Sequence, residues 1–326
     1  MRIFRTVLAV GVAAVLLPTV WIRSQPPPND PRPIAAIARL AVDPGEGSSL
    51  RLAGAWEITS NNTHFGGFSA LAYLGEGRFV AGSDAGFKML FDRPDRGATR
   101  ARLSRIEDSD VTDKRQLDLE SLTRDPDSGK LWAGYEGSNS IVRLSPDLEV
   151  EGMIAPRSMA DWGSNSGPEA LARLADGRFL VIRERTRSWV GSEHDALLFP
   201  DDPLAGARPK KLMLTVPHGY RPVDAVALDT TRVLVLYRRF TLGLPVWFYS
   251  AVGTVSLIGE PGKERLETGP TYYLADAIPH DNYEGMAVTR DRLGLHLWLI
   301  SDDNFMSYQR TLLLKLRLPD EQKCAE

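Results

Sequence analysis

Asp118-Leu119-Glu120-Ser121-Leu122 is one copy of a phrase that recurs along the chain and decides its fold. Gly167-Pro168-Glu169-Ala170-Leu171 and Asn282-Tyr283-Glu284-Gly285-Met286 keep a glutamate in the same slot, while residues 67–71 and 224–228 are degenerate copies. The shared position is occupied by Ser69, Glu120, Glu169, Val226 and Glu284, at steps of 51, 49, 57 and 58 residues. A period of about 50 residues is typical of a propeller-like array with one sheet per repeat. The three glutamates are then expected to converge on the central axis, where like charges are costly unless a cation or a function balances them.

Each copy of the phrase is followed by a turn and a second apolar run. Examples of that run are Leu131-Trp132-Ala133-Gly134 and Phe179-Leu180-Val181-Ile182. The turns before them contain Asp127-Ser128-Gly129 and Asp176-Gly177, which supply the positive-φ positions that hairpins need. Short β-rich runs bounded by such turns predict antiparallel meanders and not βαβ units. The expected fold class is therefore all-β, a β-propeller of antiparallel strands.

Five repeat units are visible, and a sixth can be assembled from an N-terminal run at residues 52–58 and elements between residues 252 and 274. A sixth unit would close the ring and remove exposed sheet edges. We therefore expect six blades in preference to five or seven.

Composition excludes several classes of protein. The chain has 326 residues, 43% hydrophobic and 25% charged, which is ordinary for a globular protein with a large core. A formal net charge of −3 gives no reason to expect nucleic acid, which requires a basic surface. The one cysteine, Cys324, rules out an intramolecular disulfide and a cysteine-based zinc cluster. Residues 163–167 (GSNSG) have Asn where a G-x-S-x-G elbow needs Ser, and no nucleotide-binding or H-E-x-x-H motif is present.

The N-terminus has the pattern of an export signal, because Arg2 and Arg5 precede an apolar stretch over residues 7–22. No small-x-small cleavage site follows, so an uncleaved anchor is the alternative for residues 1–24, although a span needs about 20 apolar residues. Residues 25–33 (QPPPNDPRP) are expected to be an extended Pro-rich linker, followed by the domain at 34–326. We expect an exported protein, periplasmic or membrane-anchored and facing the periplasm.

The second strand of every repeat ends on a charged residue. These residues are Asp84, Glu136, Glu184, Arg238 with Arg239, and Asp302 with Asp303. In an antiparallel sheet the inner strand begins at the same end at which the second strand ends. These charged residues and the glutamates of the recurring phrase should therefore lie on one face of the propeller. For each of these residues, a solvated turn residue is the alternative interpretation.

Carboxylates gathered at one end of the axis favour a metal site. The expected ligands are Glu120, Glu169, Glu284, Asp84, Asp302 and Asp303. Hard oxygen ligands without soft ones suit calcium, and Asn282 and Asn304 can add amide oxygens. No EF-hand loop is present, and magnesium or a hydrogen-bond network without metal also fits the pattern.

Histidines and arginines on the same rim are candidate catalytic groups. His64 and His280 lie in loops that lead into inner strands and can act as general acid or base, although packed or solvated loop histidines are the alternative. Arg183 and Arg239 can bind a phosphate or carboxylate bidentately. Ion pairs with neighbouring acidic residues are the alternative for both arginines.

DLESL, GPEAL and DNYEGMAV (residues 281–288), followed by LWLISDDNFMSYQRTLLL (residues 297–314), resemble the bacterial phytase-like domain family, labelled "esterase-like activity of phytase". The likeness spans roughly residues 50–318, and its C-terminal motifs are the most specific part. The resemblance implies a β-propeller fold, an exported bacterial protein and an esterase or phosphoesterase activity. Calcium-dependent propeller phytases are similar in architecture, but this chain does not reproduce their motifs.

Two main hypotheses follow for function. The first is an exported, metal-assisted hydrolase of a small-molecule ester or phosphoester, in which the carboxylates hold the cation. The second is a non-catalytic propeller that binds a small ligand or an envelope partner and uses the carboxylates for a structural ion. A lactonase-like propeller is a further alternative. A ring that closes on itself favours a monomer, with membrane contact only through the N-terminal segment.

Overall fold

The computed structural model describes residues 30–42, 50–106, 118–163, 166–186, 191–243, 246–274, 278–292, 294–306 and 308–319. Its strands are β1 (Ile34–Arg39), β2 (Arg51–Thr59), β3 (Phe68–Gly75), β4 (Arg78–Ser83), β5 (Phe87–Asp92), β6 (Arg100–Arg105), β7 (Leu119–Arg124), β8 (Leu131–Tyr135), β9 (Ser140–Leu144), β10 (Val150–Ile154), β11 (Ala170–Arg173), β12 (Phe179–Thr186), β13 (Glu193–Phe199), β14 (Lys210–Thr215), β15 (Arg221–Ala227), β16 (Arg232–Thr241), β17 (Trp247–Ile258), β18 (Arg265–Tyr273), β19 (Tyr283–Asp291), β20 (Gly294–Ser301) and β21 (Thr311–Arg317). The expected signal or anchor (1–24) and linker residues 25–29 lie outside the described residues. Within the described ranges, no helix has the length and apolar character needed to cross a membrane.

Apart from β1, the strands form five four-stranded antiparallel units: β3–β6, β7–β10, β11–β14, β15–β18, and β19–β21 with β2. The inner strands β3, β7, β11, β15 and β19 contact one another in sequence, and β19 contacts β3. Inner strands that follow one another around a ring give a propeller-like arrangement. The predicted all-β class and antiparallel meanders are confirmed.

The sixth unit that we expected is not formed by the described residues. Strand β2 instead pairs with β21, with Trp56 opposite Leu313, and completes the last unit. The segment from Val252 to Leu274 belongs to β17 and β18 of the fourth unit. Strand β1 pairs with both β2 and β6, so the outer edges of the first and last units join in one nine-stranded sheet. A repeat period does not reveal these pairings, because they join strands far apart in the sequence.

The hydrophobic core is divided among the five interfaces between neighbouring units. Between the last unit and the first, Trp298 and Phe79 are fully buried, with ring centroids 5.0 Å apart. Between the fourth unit and the last, Leu236 packs in one cluster with Leu299. Each fully buried side chain of this size contributes about 1.5–3 kcal/mol, so the faces between the sheets hold the ring together.

Four inner strands carry a β-bulge near their start, where the recurring phrase lies. The bulged residues are Ser69, Glu120, Val223 and Glu284. A bulge leaves one residue unpaired and re-aims its side chain. In the fourth unit the equivalent of the glutamate position is therefore Val223, and Val226, which the repeat pattern predicted, lies three residues further along the strand.

Candidate metal centre at the axial rim

Two rings of residues meet at one end of the axis. The first ring lies at the start of the inner strands, and the second ring lies at or near the end of the second strand of each unit. The first ring is Ser69, Glu120, Glu169, Val223 and Glu284, and the second is Asp84, Glu136, Glu184, Arg238 and Asp302. Backbone pairing joins the rings in three units, where the N–H groups of Asp84, Glu136 and Asp302 donate to the carbonyls of Gly67, Asp118 and Asn282, each at 2.9 Å. The two charged sets of the sequence are thus brought to one rim.

The hairpin β7–β8 carries a cluster of three carboxylates. Asp118, Glu120 and Glu136 present oxygens that all lie within 4.8 Å of one another, and all three residues are half-buried. The sequence predicted Glu120 as a metal ligand and Glu136 as a residue of the polar rim, but it did not single out Asp118. The available signal for Asp118 was its place in the same phrase as Glu120, two residues earlier.

Mutual repulsion makes these carboxylates hard to ionise together. Burial raises the pKa of Glu120 well above its usual range, and the negative charges of Asp118, Glu136, Asp84 and Asp302 raise it further. A divalent cation among these groups would remove the repulsion. The donor set of this cluster therefore fits a hard cation.

Two more carboxyl groups extend the acidic side of the rim. Burial raises the pKa of Glu169 well above its usual range, and repulsion from Glu120 and Glu184 adds to this effect. A side-chain hydrogen bond with Glu136 also raises the pKa of Glu169, and it acts in the opposite direction on the pKa of Glu136. Burial raises the pKa of Asp302 to about 7, so this carboxyl group changes its charge near neutral pH.

Arg238 compensates the charge on the other side of the rim. Its Nη2 donates to Glu184 Oε1 at 3.1 Å and its Nη1 donates to Asn282 Oδ1 at 2.9 Å. Its guanidinium also forms an ion pair with Glu284. Asn282 Nδ2 in turn donates to Glu284 Oε1 at 2.9 Å. Glu284, an expected metal ligand, is thus held by an arginine, and the rim has an acidic side and a compensated side.

The two neighbouring aspartates 302 and 303 have different surroundings. Asp303 accepts hydrogen bonds from Gly67 N at 3.2 Å, Phe305 N at 3.0 Å and Thr311 Oγ1 at 3.3 Å, so it anchors the surrounding loops. Asp302 is buried, and the negative charge of Asp84 contributes to its raised pKa. Both groups therefore lie beside the acidic side of the rim.

The expected histidines lie against aromatic rings. His64 is exposed and stacks on Phe87 with ring centroids 4.3 Å apart. His280 is exposed and lies edge-on to Trp247 and Tyr249, at centroid distances of 5.6 and 6.0 Å. Both are in the loops where the sequence placed them, but these ring contacts hold their side chains.

The two expected arginines are also engaged by other groups. Arg183 Nη2 donates to Trp162 O at 2.5 Å, and its Nη1 lies 3.6 Å from Asp195 Oδ2. The guanidinium of Arg239 lies over the rings of Tyr220 and Tyr249, at 5.1 and 4.8 Å from their centroids. Arg238, one residue before Arg239, reaches the rim carboxylates Glu184 and Glu284, and Arg221 also pairs with Glu184.

This chain has distant similarities to proteins of known structure. No curated protein matches the sequence significantly. Among solved structures, U3-55K is similar at 10% identity over 85% of this chain and 100% of that chain, with a TM-score of 0.45. Kuenenia stuttgartiensis hydrazine synthase is similar at 14% identity over 76% and 71% of the two chains (TM-score 0.39), and the Myceliophteria thermophila Cps50 (Swd1) β-propeller domain at 10% over 83% and 100% (TM-score 0.40).

One family model covers most of the chain. It is described as "Phytase-like: Esterase-like activity of phytase", and it matches residues 63–305, a span that includes all five inner strands and the whole axial rim. The protein therefore belongs to the phytase-like family.

Proposed function

We propose that this phytase-like propeller is an exported hydrolase that acts on a small-molecule ester or phosphoester with the help of a divalent cation, calcium by preference. The observation that carries the proposal is the cluster of Asp118, Glu120 and Glu136, whose oxygens lie within 4.8 Å of one another. Three hard oxygen donors on one hairpin are a suitable set for calcium. The family match supports chemistry on an ester bond.

The cation would be held by the three carboxylates of the β7–β8 hairpin, with Asp84 of the first unit and Asp302 of the last unit adding negative charge. When bound, such an ion polarises a carbonyl or phosphoryl oxygen and lowers the pKa of a bound water. The proposal accounts for the repulsion at Glu120, because a bound cation would offset the negative charges that raise the pKa of this residue.

Other rim residues would position and protonate the substrate. Asp302, with a pKa of about 7, can hold or release a proton near neutral pH. His64 and His280 are exposed in loops on this rim and are the candidate proton carriers for a substrate that extends outward. Arg183 and Arg239 are candidate anion ligands at the outer part of the same end of the propeller.

The ion pairs of Arg238 favour a second candidate function. Because Arg238 already neutralises Glu184 and Glu284, part of the rim is satisfied without a substrate. Such an arrangement suits a non-catalytic propeller that binds a ligand or an envelope partner and uses an ion for stability.

One paired experiment separates the two functions. The chelated protein is melted with and without added calcium, and hydrolysis of p-nitrophenyl phosphate and p-nitrophenyl acetate is measured on the same samples. A hydrolase should show a calcium-dependent rise in Tm together with turnover, and Glu120→Gln should lose both. Glu267→Gln, an exposed carboxylate on β18, is the matched control that should keep both. A rise in Tm without turnover favours the binding propeller, and no response to divalent cations overturns the metal centre.

A further inference from the structure

An aromatic ledge lies on the β16–β17 hairpin and on the loops before β15 and β19. We define it by Arg239, Tyr249, Trp247, Tyr220 and His280. The Arg239 guanidinium lies over Tyr220 and Tyr249, and His280 lies edge-on to Trp247 and Tyr249. These contacts join one cation, three aromatic rings and an imidazole into a continuous surface.

The strand register fixes the direction of this surface. Arg239 pairs with Tyr249, and Thr241 pairs with Trp247, so these side chains project from one face of the β16–β17 hairpin. Arg238 projects from the opposite face and reaches Glu284 on the rim. Consecutive Cα atoms are about 3.8 Å apart. The aromatic ledge and the arginine that holds Glu284 are therefore carried by adjacent residues of β16, on opposite faces of the strand.

Among the described residues, Arg239 makes no ion pair with a carboxylate, and its Nε is buried without a hydrogen-bond partner. Arg238 provides the contrast, because it is held by two glutamates and an asparagine. An arginine held by ring faces alone keeps its capacity for an oxyanion, which it binds with two parallel hydrogen bonds.

Part of the ledge is open to solvent, although Tyr220 is buried. Trp247 is 47% exposed, and Tyr273, which lies 5.7 Å from Tyr220, is 55% exposed. Large exposed aromatic faces next to a polar group offer a stacking surface for a flat ligand. The exposed side chain of His280 adds a second polar group beside Trp247.

We infer that the aromatic ledge is a substrate subsite for a ring that carries a phosphate or carboxylate group, with Arg239 binding the oxyanion and Trp247 stacking on the ring. The inference names a substrate class for the proposed hydrolase, and its part in hydrolysis rests on that proposed function. Binding of the ring and its anion does not require the metal, because none of the residues in the ledge belongs to the carboxylate cluster.

The test is a titration of the chelated full-length protein with phenyl phosphate, followed by tryptophan fluorescence. Subtracting the signal of Trp247→Phe isolates the contribution of Trp247. We expect saturable quenching of that contribution, and we expect Arg239→Gln to raise the Kd at least tenfold. Glucose 6-phosphate replaces the arene with a sugar ring, and whichever of the two binds more tightly identifies the preferred ring.

Matched variants and ligands control for loss of fold and for nonspecific binding. Phe240→Ala removes an aromatic side chain that is also 47% exposed on the same hairpin but projects from the other face, and it should bind phenyl phosphate like the wild type. Arg265→Gln removes an exposed arginine of β18 and should behave likewise. Equal affinity in Arg239→Gln and the wild type overturns the inference, as does inorganic phosphate binding as tightly as phenyl phosphate.

The design keeps the two proposals separate. Glu120→Gln should lose the response to calcium and should keep the Trp247 quenching. If the wild type shows quenching but no hydrolysis under any metal condition, the proposed hydrolase is wrong and the subsite stands. If hydrolysis occurs and quenching is absent, the hydrolase stands and the subsite is wrong.

Discussion

The guanidinium of Arg238 joins Glu184 to Glu284 and thereby ties three consecutive units together at the rim. Arg238 belongs to the fourth unit, Glu184 to the third and Glu284 to the last. The arginine side chain is 19% exposed and both glutamates are 11% exposed. These charges are shielded from water, so a group that loses its ion-pair partner cannot be fully solvated. Each ionised group therefore stabilises the other.

Arg238→Met should destabilise the protein strongly. It removes the cation that two shielded carboxylates share, which leaves Glu184 with the more exposed Arg221 and Glu284 with the hydrogen bond from Asn282. Breaking a buried pair from one side costs about 3–5 kcal/mol. Urea denaturation followed by circular dichroism measures the change. Arg265→Gln, which breaks the exposed pair with Glu267, should cost about 0–1 kcal/mol. Adding Glu184→Gln and Glu284→Gln to Arg238→Met should restore much of the loss. A loss no larger than that of Arg265→Gln would show that the pairs are not important for stability.

Stability without metal should fall as pH rises through neutrality. Folding raises the pKa of Glu120, Glu169 and Asp302, the last to about 7. A carboxyl group with a raised pKa binds more protons in the folded state. The stabilisation that such a group gives the folded state is fully present below its pKa in the unfolded chain, about 4. It is lost as the pH rises through the pKa of the group in the folded state.

The free energy of unfolding of the chelated protein, measured by urea denaturation between pH 5 and pH 8, tests this sign. We expect a decrease across the range, and added calcium should flatten it because a bound ion compensates the ionised groups. The double variant Glu120→Gln, Glu169→Gln should also show a flatter profile without metal. A chelated wild type that becomes more stable toward pH 8 contradicts the prediction.

Asp224 is a second link between units, and its removal should be costly. Its side chain is fully buried, Oδ2 accepts from Met286 N of the last unit at 2.6 Å, and Oδ1 accepts from Ala225 N at 2.7 Å. Asp224→Ala leaves two buried N–H groups unpaired, at about 1–3 kcal/mol each. Asp224→Asn keeps one acceptor and should lie between wild type and Ala.

Thermal and urea unfolding of the Asp224 variants give the order of stability. The exposed Asp201→Asn serves as the matched control and should be neutral. Equal stability of Asp224→Ala and Asp224→Asn would mean that the bond to Met286 is not the source of the effect.

Gly285→Ala should strain the contact between the last unit and the first. A Cβ at this position would lie 2.7 Å from Ile300 Cγ2 and 2.8 Å from the backbone of Ala70 and Leu71. Because backbone atoms of β3 cannot move aside cheaply, overpacking here should cost about 1–3 kcal/mol or more. Gly269→Ala on exposed β18, where the nearest atom lies at 3.3 Å, is the control for the substitution itself. A Tm for Gly285→Ala equal to that of the control would contradict the close approach of these strands.

The fold was predictable to the extent that it depends on local pattern. Alternating apolar runs and Gly-containing turns predicted the antiparallel strands, and charge at the ends of second strands predicted a shared rim. The period missed the bulge at Val223, because a bulge shifts strand register without any change in local composition. The pairing of β2 with β21 was also not predictable, because the sequence of an edge strand does not indicate which distant strand it pairs with.

Of the three carboxylates in the candidate cluster, the sequence singled out Glu120 as a ligand, and it did not predict how the rim charges pair. The recurring phrase identified Glu120, yet it could not show that Arg238 neutralises Glu284 or that Asp118 and Glu136 gather with Glu120 on the β7–β8 hairpin. Residues Arg238 and Arg239 look alike in the sequence. Which of them faces the rim depends on the register of β16, because a shift of one residue exchanges their faces.

The pairing of β2 with β21 also has a consequence for biosynthesis. Arg51 lies opposite Arg317, so the first strand of the ring must wait for the last one to leave the ribosome before the final sheet is complete. Until then, β2 and β20 have unpaired edges, which invite association with other chains. Contacts this distant in sequence form slowly. A nascent chain of this protein therefore depends on assistance, or on rapid completion, for longer than a chain whose sheets close in order.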